Sequence, residues 1–567
     1  MNRKRLISLL LTLLMVCGLT SGCGILFGGR DSGADMVPFD EMEYARPDLD
    51  AALARADELI ARLQSEKPKT RGVREALEDC FADFQHLRTM EALATIRSDT
   101  DVTDTFYRAE LDYCSDAVIT YRAKLDELFS ACAASPIRQT LDIYFGKGFL
   151  DDYEGEYVYP EEMIRLEKQE NELVNRYYAE LAASRFSWNG QDYTLDELYQ
   201  ADRDGTLEGI DFGEALTQFY TDVNRTLGGI YVQLVQVRQA LAAEAGYDNY
   251  LDMAYDDNYR DYDPGQAAEF TQAVRLELVP LYRQAKEIGL TEDAFMGTPE
   301  MDPDDALMLV TGIADAMGDD IDETAEFLLE YDLINVDRSD VKASDSYEIY
   351  LPDYESPYIF ANTIGYAEDI ITIAHELGHA VDDYVHYEAN DSTDVSETLS
   401  QAMEYLCLPY LDGDVRETVT AYKLMDTLSM YAEQGCYNAF EEEVYALAPE
   451  DVTLEKINAI ALRSAEAFGT TSEWGTAYDS MSWVDITHFF QQPMYIISYI
   501  VSDSMAIQFY EQEVAREGRG LELYKKAMGL AGEKAFTELA PALDLRDPLS
   551  AAQVHAIANL LRTQLSK

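Results

Sequence analysis

The sequence has 567 residues, of which 43 are basic and 107 are acidic, so its formal net charge is −64. A chain of this charge repels nucleic acid and anionic membranes and stays soluble, so we expect no nucleic-acid partner. Hydrophobic residues make up 47% of the chain, which is ample for a sizeable core, and the length exceeds what one compact core normally serves.

The first residues have the pattern of an export signal. Residues 1–5 are basic, residues 6–19 form an apolar run too short for a comfortable membrane span, and Ser-Gly-Cys closes the run at Cys23. This ending is similar to the processing site of bacterial lipoproteins, which predicts lipidation of Cys23 as the mature N-terminus. An ordinary signal peptide or an uncleaved anchor is the alternative. Residues 24–45 contain several glycines and suit a flexible tether.

Cysteine usage does not indicate a disulfide framework. Outside the signal region the chain has Cys80, Cys114, Cys132, Cys407 and Cys436. An odd set of five spread over more than 500 residues matches neither a framework nor a thiolate zinc site. One or two bridges are compatible with export, and the sequence does not pair them.

Most of the chain has helical periodicity. From residue 46 to residue 340, apolar residues recur at three- and four-residue spacing and breakers are few, which predicts a helical N-terminal region. The predicted helical segments are 46–66, 72–94, 104–134, 160–184, 212–244, 264–287 and 301–334.

A β-hairpin signal interrupts this pattern at residues 347–362. Residues 347–351 and 357–361 are short apolar or aromatic runs, and the turn-prone residues 352–356 separate them. It is one of the few strand signals in the sequence.

A candidate metal site follows directly. His375 and His379 are four residues apart and Glu376 lies beside the first histidine, so on a helix the two imidazoles project from one face. With six histidines in the chain, a chance His-Glu-x-x-His is expected on the order of 0.01 times. The alternative is a pair of surface histidines, but the apolar residues 370–381 around them favour a buried helix. The pattern predicts one catalytic Zn²⁺ per chain, with Glu376 as the general base.

A catalytic zinc needs a third protein ligand. Glu397 is the first candidate, because it begins a polar stripe on a second helical pattern whose flanks are apolar. Glu404 lies two turns further along the same face and is the alternative ligand. A solvated helix face would be the ordinary explanation of the stripe.

A third block lies at residues 488–499, where His488, Pro493, Tyr495 and Tyr499 follow one another. Together with the His375–His379 motif and the Glu397 helix, this block resembles the oligoendopeptidase F and thimet oligopeptidase family of zinc metallopeptidases. The three blocks occur in that family's order across residues 369–499.

The resemblance implies a mainly α fold, with two helical halves facing each other across a channel and a small β-sheet beside the zinc-binding helix. It implies that residues 341–567 form the catalytic region. It also implies that His488, Tyr495 and Tyr499 donate hydrogen bonds to the oxyanion of the reaction. Without the resemblance, both tyrosines would be interpreted as core residues with satisfied hydroxyls.

In zinc peptidases of this general kind an edge strand can hold an extended substrate by main-chain pairing. We therefore predict that the second run of the hairpin binds the substrate. A purely structural hairpin is the alternative. The predicted strand residues are Pro357, Tyr358, Ile359, Phe360, Ala361 and Asn362.

The sequence therefore predicts a monomeric zinc metallo-endopeptidase that hydrolyses short unfolded oligopeptides by zinc-activated water. We expect it outside the cytoplasmic membrane, attached only by a lipid on Cys23, or secreted if that cysteine is not lipidated. The alternative function is a peptide-binding surface lipoprotein with a catalytically inactive zinc site.

Overall fold

The computed structural model describes residues 36–153, 160–297, 299–387 and 392–565. The predicted signal peptide, Cys23 and the first part of the predicted tether lie outside these residues. No helix in the described ranges is long and apolar enough to cross a membrane.

Helices dominate the described residues. In the first part of the chain they are α1 (Leu49–Leu63), α2 (Val73–Thr100), α3 (Thr105–Ala134), α4 (Arg138–Phe145), α5 (Glu161–Ala183), α6 (Leu195–Arg203), α7 (Phe212–Ala245), α8 (Tyr250–Asp257), α9 (Pro264–Glu277), α10 (Val279–Ile288), α11 (Pro303–Met317) and α12 (Asp320–Glu330). The remaining ones are α13 (Asp369–His386), α14 (Thr393–Cys407), α15 (Gly413–Tyr445), α16 (Leu454–Phe468), α17 (Thr476–Asp479), α18 (Thr487–Gln491), α19 (Ile497–Ala515), α20 (Arg519–Ala531), α21 (Phe536–Ala542) and α22 (Ala551–Leu565).

Capping side chains set where many of these helices begin. Asp48, Asp104 and Asp211 each accept a hydrogen bond from a first-turn backbone N–H of the helix that follows. Thr194 and Asp263 form reciprocal capping boxes with the side chains of Glu197 and Gln266. Because a cap satisfies N–H groups that have no partner within the helix, these residues fix where the helices begin.

The described residues form two hydrophobic cores. The smaller core lies within α1 to α4 and extends to Leu150. The larger core joins helices from both sides of residue 340, including α7 and α19. The predicted division at residue 340 therefore does not separate two cores.

The predicted tether extends too far along the chain. Met42 is fully buried. Phe39 packs on Tyr358 with ring centroids 4.3 Å apart, and its N–H donates to the carbonyl of Tyr331 at 2.9 Å. Residues 36–45 are thus part of the folded body, because Met42 is buried and several of its apolar neighbours pack, partly buried, against the larger core.

Two small sheets accompany the helices. β1 (Phe186–Trp188) and β2 (Gln191–Tyr193) form a hairpin. β3 (Ile334–Asn335), β4 (Ser346–Leu351) and β5 (Ser356–Ala361) form a sheet in the order β3-β5-β4. β4 and β5 are antiparallel with Ser346 opposite Ala361, and β3 is parallel to β5 with Ile334 opposite Ile359. Both β4 and β5 pack on α13. The prediction of a mainly α protein with a small sheet beside the metal-binding helix is confirmed.

The prediction that residues 357–362 pair with a substrate is wrong. β5 is the central strand, every residue in it is buried, and the N–H of Ile359 donates to the carbonyl of Leu333 at 2.9 Å. The side chain of Asn362 is bonded to the backbone of Ser339. A peptide can pair only with a strand whose edge is open, and in the described sheet β4 is the edge strand that packs on α13.

All five cysteines in the described residues are buried, and none forms a disulfide. The sequence left open whether some of these cysteines form disulfides. In the structure all five are free thiols in the core.

Candidate metal centre

The two histidines lie on α13, and the first residue of that helix, Asp369, caps the loop that leads into it. The Asp369 carboxylate accepts hydrogen bonds from the backbone N–H groups of Ile364, Gly365 and Tyr366, at 2.7 to 3.0 Å. The apolar face of α13 is buried, including Ile373 and Leu377. The cap and the core together fix the rotation of the helix, and this rotation points both imidazoles towards α14.

His375, His379 and Glu397 converge at one point. The Nε2 atoms of the two histidines are 3.2 Å apart. Each Nε2 is also 3.7 Å from an oxygen of the Glu397 carboxylate. The three ligand atoms all lie within 4.8 Å of one another, so they could hold one metal ion.

This donor set fits a catalytic zinc. Two imidazoles and one carboxylate are a known catalytic ligand set, which leaves a fourth position open. In addition, Glu397 Oε2 is buried without a hydrogen-bond partner. A buried carboxylate oxygen without a partner is costly, and a cation between the three groups would satisfy it.

Glu404 lies behind the ligands. Its Oε1 is 2.7 Å from His375 Nδ1, and its other oxygen is 2.5 Å from Lys423 Nζ. His379 Nδ1 likewise contacts Ser396 Oγ at 3.0 Å. Such outer contacts fix ring orientation and leave Nε2 facing the ion, so the geometry favours Glu397 as the ligand and Glu404 as its support. Lys423 and Ser396 carry no sequence signal that would have singled them out.

Gly378 allows α14 to approach α13. A Cβ at this position would lie 2.5 Å from Ser400 Cα and 3.2 Å from the Leu399 carbonyl oxygen. Both distances are shorter than an ordinary contact, so only glycine fits without moving a helix. The close approach brings Glu397 within reach of the two histidines.

Glu376 is buried beside the ligands. Burial raises the pKa of Glu376 to about 7, a rise that the positive charge of His375 opposes and that Glu397 and Glu404 increase. The backbone of Glu348 on β4 donates a hydrogen bond to this carboxylate. A carboxylate with a pKa near neutrality is suited to take up and release a proton.

The imidazoles differ in their electrostatics. Burial lowers the pKa of His375, but its hydrogen bond to Glu404 and the nearby carboxylates outweigh burial and raise the pKa to about 9. Burial and the charge of His375 lower the pKa of His379 well below its usual value. Because a metal ligand must be deprotonated, a bound cation competes with the proton on His375.

The side chains of His488, Tyr495 and Tyr499 pack on one another, and Tyr495 reaches Glu397. The hydroxyl of Tyr495 donates a hydrogen bond to the Glu397 carboxylate, and His488 Nε2 is 3.0 Å from the hydroxyl of Tyr499. Burial raises the pKa of both tyrosines well above the usual value and lowers that of His488. The tyrosines therefore stay protonated and can donate hydrogen bonds, while His488 is a neutral imidazole.

A separate cavity of about 570 Å³ is lined by a different set of residues, which does not include the candidate metal ligands. It is lined by β3 and by α2 and α3 residues such as Arg97 and Tyr107. Of the predicted site residues only Tyr358 faces it. This explains where Tyr358 points, and it separates that residue from the metal centre.

Comparison with known proteins bears on the fold of the chain. Residues 39–157 match the Peptidase M3 N-terminal domain, which covers the smaller core. No curated protein matches the chain.

Solved structures match over nearly the whole length. One is PZ peptidase A with an inhibitor, at 22% identity and a TM-score of 0.77 over 93% of this chain and 99% of that one. An oligoendopeptidase F structure at 3.1 Å gives 22% identity and a TM-score of 0.77, over 94% of this chain and 99% of that one. A candidate oligoendopeptidase F from Bacillus anthracis strain Ames gives 22% identity and a TM-score of 0.72, over 94% and 99%. Residues 39–157 thus match a peptidase M3 N-terminal domain, and the chain as a whole shares the fold of these solved structures.

Proposed function

We propose that this protein is a zinc metallo-endopeptidase that hydrolyses peptide bonds in short, unfolded oligopeptides. The observation that carries the proposal is the convergence of His375, His379 and Glu397 on one point, with the buried Glu376 carboxylate beside it. The fold shared with PZ peptidase A and oligoendopeptidase F supports it.

The residues of the chain have distinct roles in this reaction. When bound, zinc supplies a Lewis acid that lowers the pKa of a water molecule and polarises the scissile carbonyl. Glu376 accepts the proton of the attacking water and returns it to the leaving amine. His488, Tyr495 and Tyr499 are the candidate donors to the oxyanion that develops on the carbonyl, because Tyr495 contacts Glu397 and the other two side chains pack beside Tyr495.

The substrate strand in this proposal is β4, in place of β5. β4 packs on α13, and its backbone at Glu348 reaches the Glu376 carboxylate. An extended peptide that pairs with the outer edge of Ser346–Leu351 would pass over the general base. Main-chain pairing requires an unfolded substrate, which is why we propose oligopeptides.

We further propose that the protein acts outside the cytoplasmic membrane as a monomer, attached by a lipid on Cys23. The support is the basic and apolar pattern of residues 1–19 and the Ser-Gly-Cys that follows. The net charge of −64 suits a soluble surface enzyme and disfavours binding to nucleic acid.

Metal removal tests the function. Residues 24–567 would be incubated with quenched fluorescent oligopeptides as purified, after chelation, and after addition of one equivalent of zinc. We expect cleavage, its loss on chelation and its return with zinc. A peptide-binding lipoprotein would instead bind the peptides and release them uncut in all three states, which would refute the proposal.

A further inference from the structure

Two buried arginines from the N-terminal half of the chain contact the backbone of residues 487–499, which we call the donor segment because it carries His488, Tyr495 and Tyr499. The arginines are Arg238 on α7 and Arg260 just after α8. The side chains of both are fully buried. A buried guanidinium is costly unless its donors are used, so the groups that accept from it indicate what it holds in place.

Arg238 holds the end of α18. Its Nη1 donates to the carbonyl of Phe489 at 2.8 Å, and its Nη2 donates to the carbonyl of Phe490. Its Nε donates to Glu170 Oε1 at 2.6 Å, which anchors the guanidinium to α5. These carbonyls lie directly after His488, so Arg238 fixes the peptide planes that orient that imidazole.

Arg260 holds the residue before Tyr495. Its Nη2 donates to the carbonyl of Met494 at 2.7 Å and to Ser498 Oγ at 2.8 Å. The N–H of Met494 donates to Glu441 Oε1 at 3.0 Å. Both backbone polar groups of one residue are therefore held by buried charged or ionisable side chains.

Met494 needs such support because its φ is +62°, in the left-handed region that side chains other than glycine seldom adopt. Such a conformation persists only where the surroundings enforce it. The chain direction at Met494 determines where the next side chain points, and that side chain is Tyr495, whose hydroxyl bonds to Glu397.

We propose that Arg238 and Arg260 are positioning residues that hold the donor segment so that His488 and Tyr495 face the metal ligands. Neither arginine touches the candidate substrate position, and each acts through backbone carbonyls. The N-terminal half thus contributes directly to the geometry of the site. The expected effect on kcat rests on the proposed peptidase function, whereas the expected effect on the order of the donor segment does not.

The structural consequence is tested in metal-free protein by hydrogen exchange and mass spectrometry. Arg260→Lys keeps the charge, but its side chain ends one bond short of Nη2, the nitrogen that donates to both the carbonyl of Met494 and the hydroxyl of Ser498. We expect faster exchange confined to the donor segment. The matched control is Arg122→Lys, because Arg122 is an equally buried arginine that pairs with Glu167 at 2.8 Å away from the site.

The kinetic consequence is tested with a double-variant cycle. A misplaced donor should lower kcat by about 10- to 100-fold at unchanged KM and zinc content. If Arg260 acts through Tyr495, then Arg260→Lys combined with Tyr495→Phe should be no slower than the slower single variant. Arg122→Lys should leave kcat at the wild-type value.

Two results would overturn the proposal. One is a rate of hydrogen exchange in the donor segment of Arg260→Lys equal to that of the wild type. The other is a double variant whose kcat falls by the product of the two single effects of Arg260→Lys and Tyr495→Phe. If Arg260→Lys does not fold, Ser498→Ala removes one of the groups that Arg260 contacts and carries the same exchange test, with a smaller increase expected. If the wild type cleaves no peptide, the proposed function fails, while the exchange experiment still decides whether the arginines position the segment.

Discussion

Gly378→Ala is the substitution whose effect on the site follows most directly from the structure. The new Cβ would lie 2.5 Å from Ser400 Cα, whereas carbon atoms make favourable contacts at about 3.5 to 4.0 Å. The two helices must therefore separate by about 1 Å. Metal–ligand distances tolerate only about 0.2 Å, so Glu397 would move out of coordinating range of an ion held by the two histidines.

The expected cost has two parts. Overpacking of this kind lowers the free energy of unfolding by about 1–3 kcal/mol. A misplacement of about 1 Å at a catalytic site also costs about 100-fold in rate. We expect Gly378→Ala to unfold at a lower temperature, to bind zinc more weakly and to lose most of its peptide-cleaving activity.

Gly312→Ala is the matched control. Gly312 lies within α11, and a Cβ there would meet no atom within 4 Å. Alanine is the better helix former by about 1 kcal/mol, so this variant should unfold at an equal or higher temperature with unchanged zinc binding. Thermal denaturation, zinc content after dialysis and kcat/KM would be measured for both. Wild-type zinc affinity and wild-type rate in Gly378→Ala would refute the argument that close approach of the helices sets the ligand geometry.

Three further outcomes follow from the site. Zinc affinity would be measured by competition with a chromophoric chelator. Glu404→Gln should weaken zinc binding by about 10- to 100-fold, and Glu397→Gln should weaken it more. The reverse order would make Glu404 the ligand. Burial raises the pKa of Glu376, and its protonated form cannot accept a proton from water, so kcat/KM should fall on the acid side of the pH profile. A profile that is flat on the acid side would contradict the role of Glu376 as base. Burial raises the pKa of Glu441 from 4.5 to about 8, so the folded wild type binds this proton more tightly than the unfolded chain and loses stability as the pH rises through that window. Glu441→Gln lacks this loss, so its stability relative to wild type should rise with pH by up to about 1.4 kcal/mol per pH unit. Urea denaturation at several pH values measures the difference, and a difference that does not change with pH would contradict a raised pKa.

The sequence was informative wherever the relevant signal is local. Four-residue spacing on an apolar helix placed His375 and His379 on one face. Periodicity located long helices such as α3, α5 and α7 to within one residue of their ends, but it missed α4, α6 and α8 and joined α9 to α10 and α11 to α12. The choice between Glu397 and Glu404 could not be made in this way, because both lie on the same stripe. It depends on how close α14 lies to α13, which is set by the contact of Gly378 with Ser400.

Local sequence signals also could not decide which strand is open for a substrate to pair with. The hairpin was visible in the sequence, but β3 has only two residues, Ile334 and Asn335, and so has no periodic signal of its own. This short strand covers β5 and leaves β4 at the edge, and residue 334 was predicted to end a helix. The two arginines that hold the donor segment are isolated in sequence, so only the fold reveals what they contact.

The measurement that most directly tests the central claim is the rate of oligopeptide cleavage by zinc-loaded wild type and Glu376→Gln, with bound zinc quantified in both. The substitution leaves His375, His379 and Glu397 in place and removes the group that accepts the proton. We predict about one zinc per chain in both proteins and cleavage by the wild type alone. Equal cleavage by both would contradict the role of Glu376, and zinc binding without cleavage by either would contradict the assignment as a peptidase.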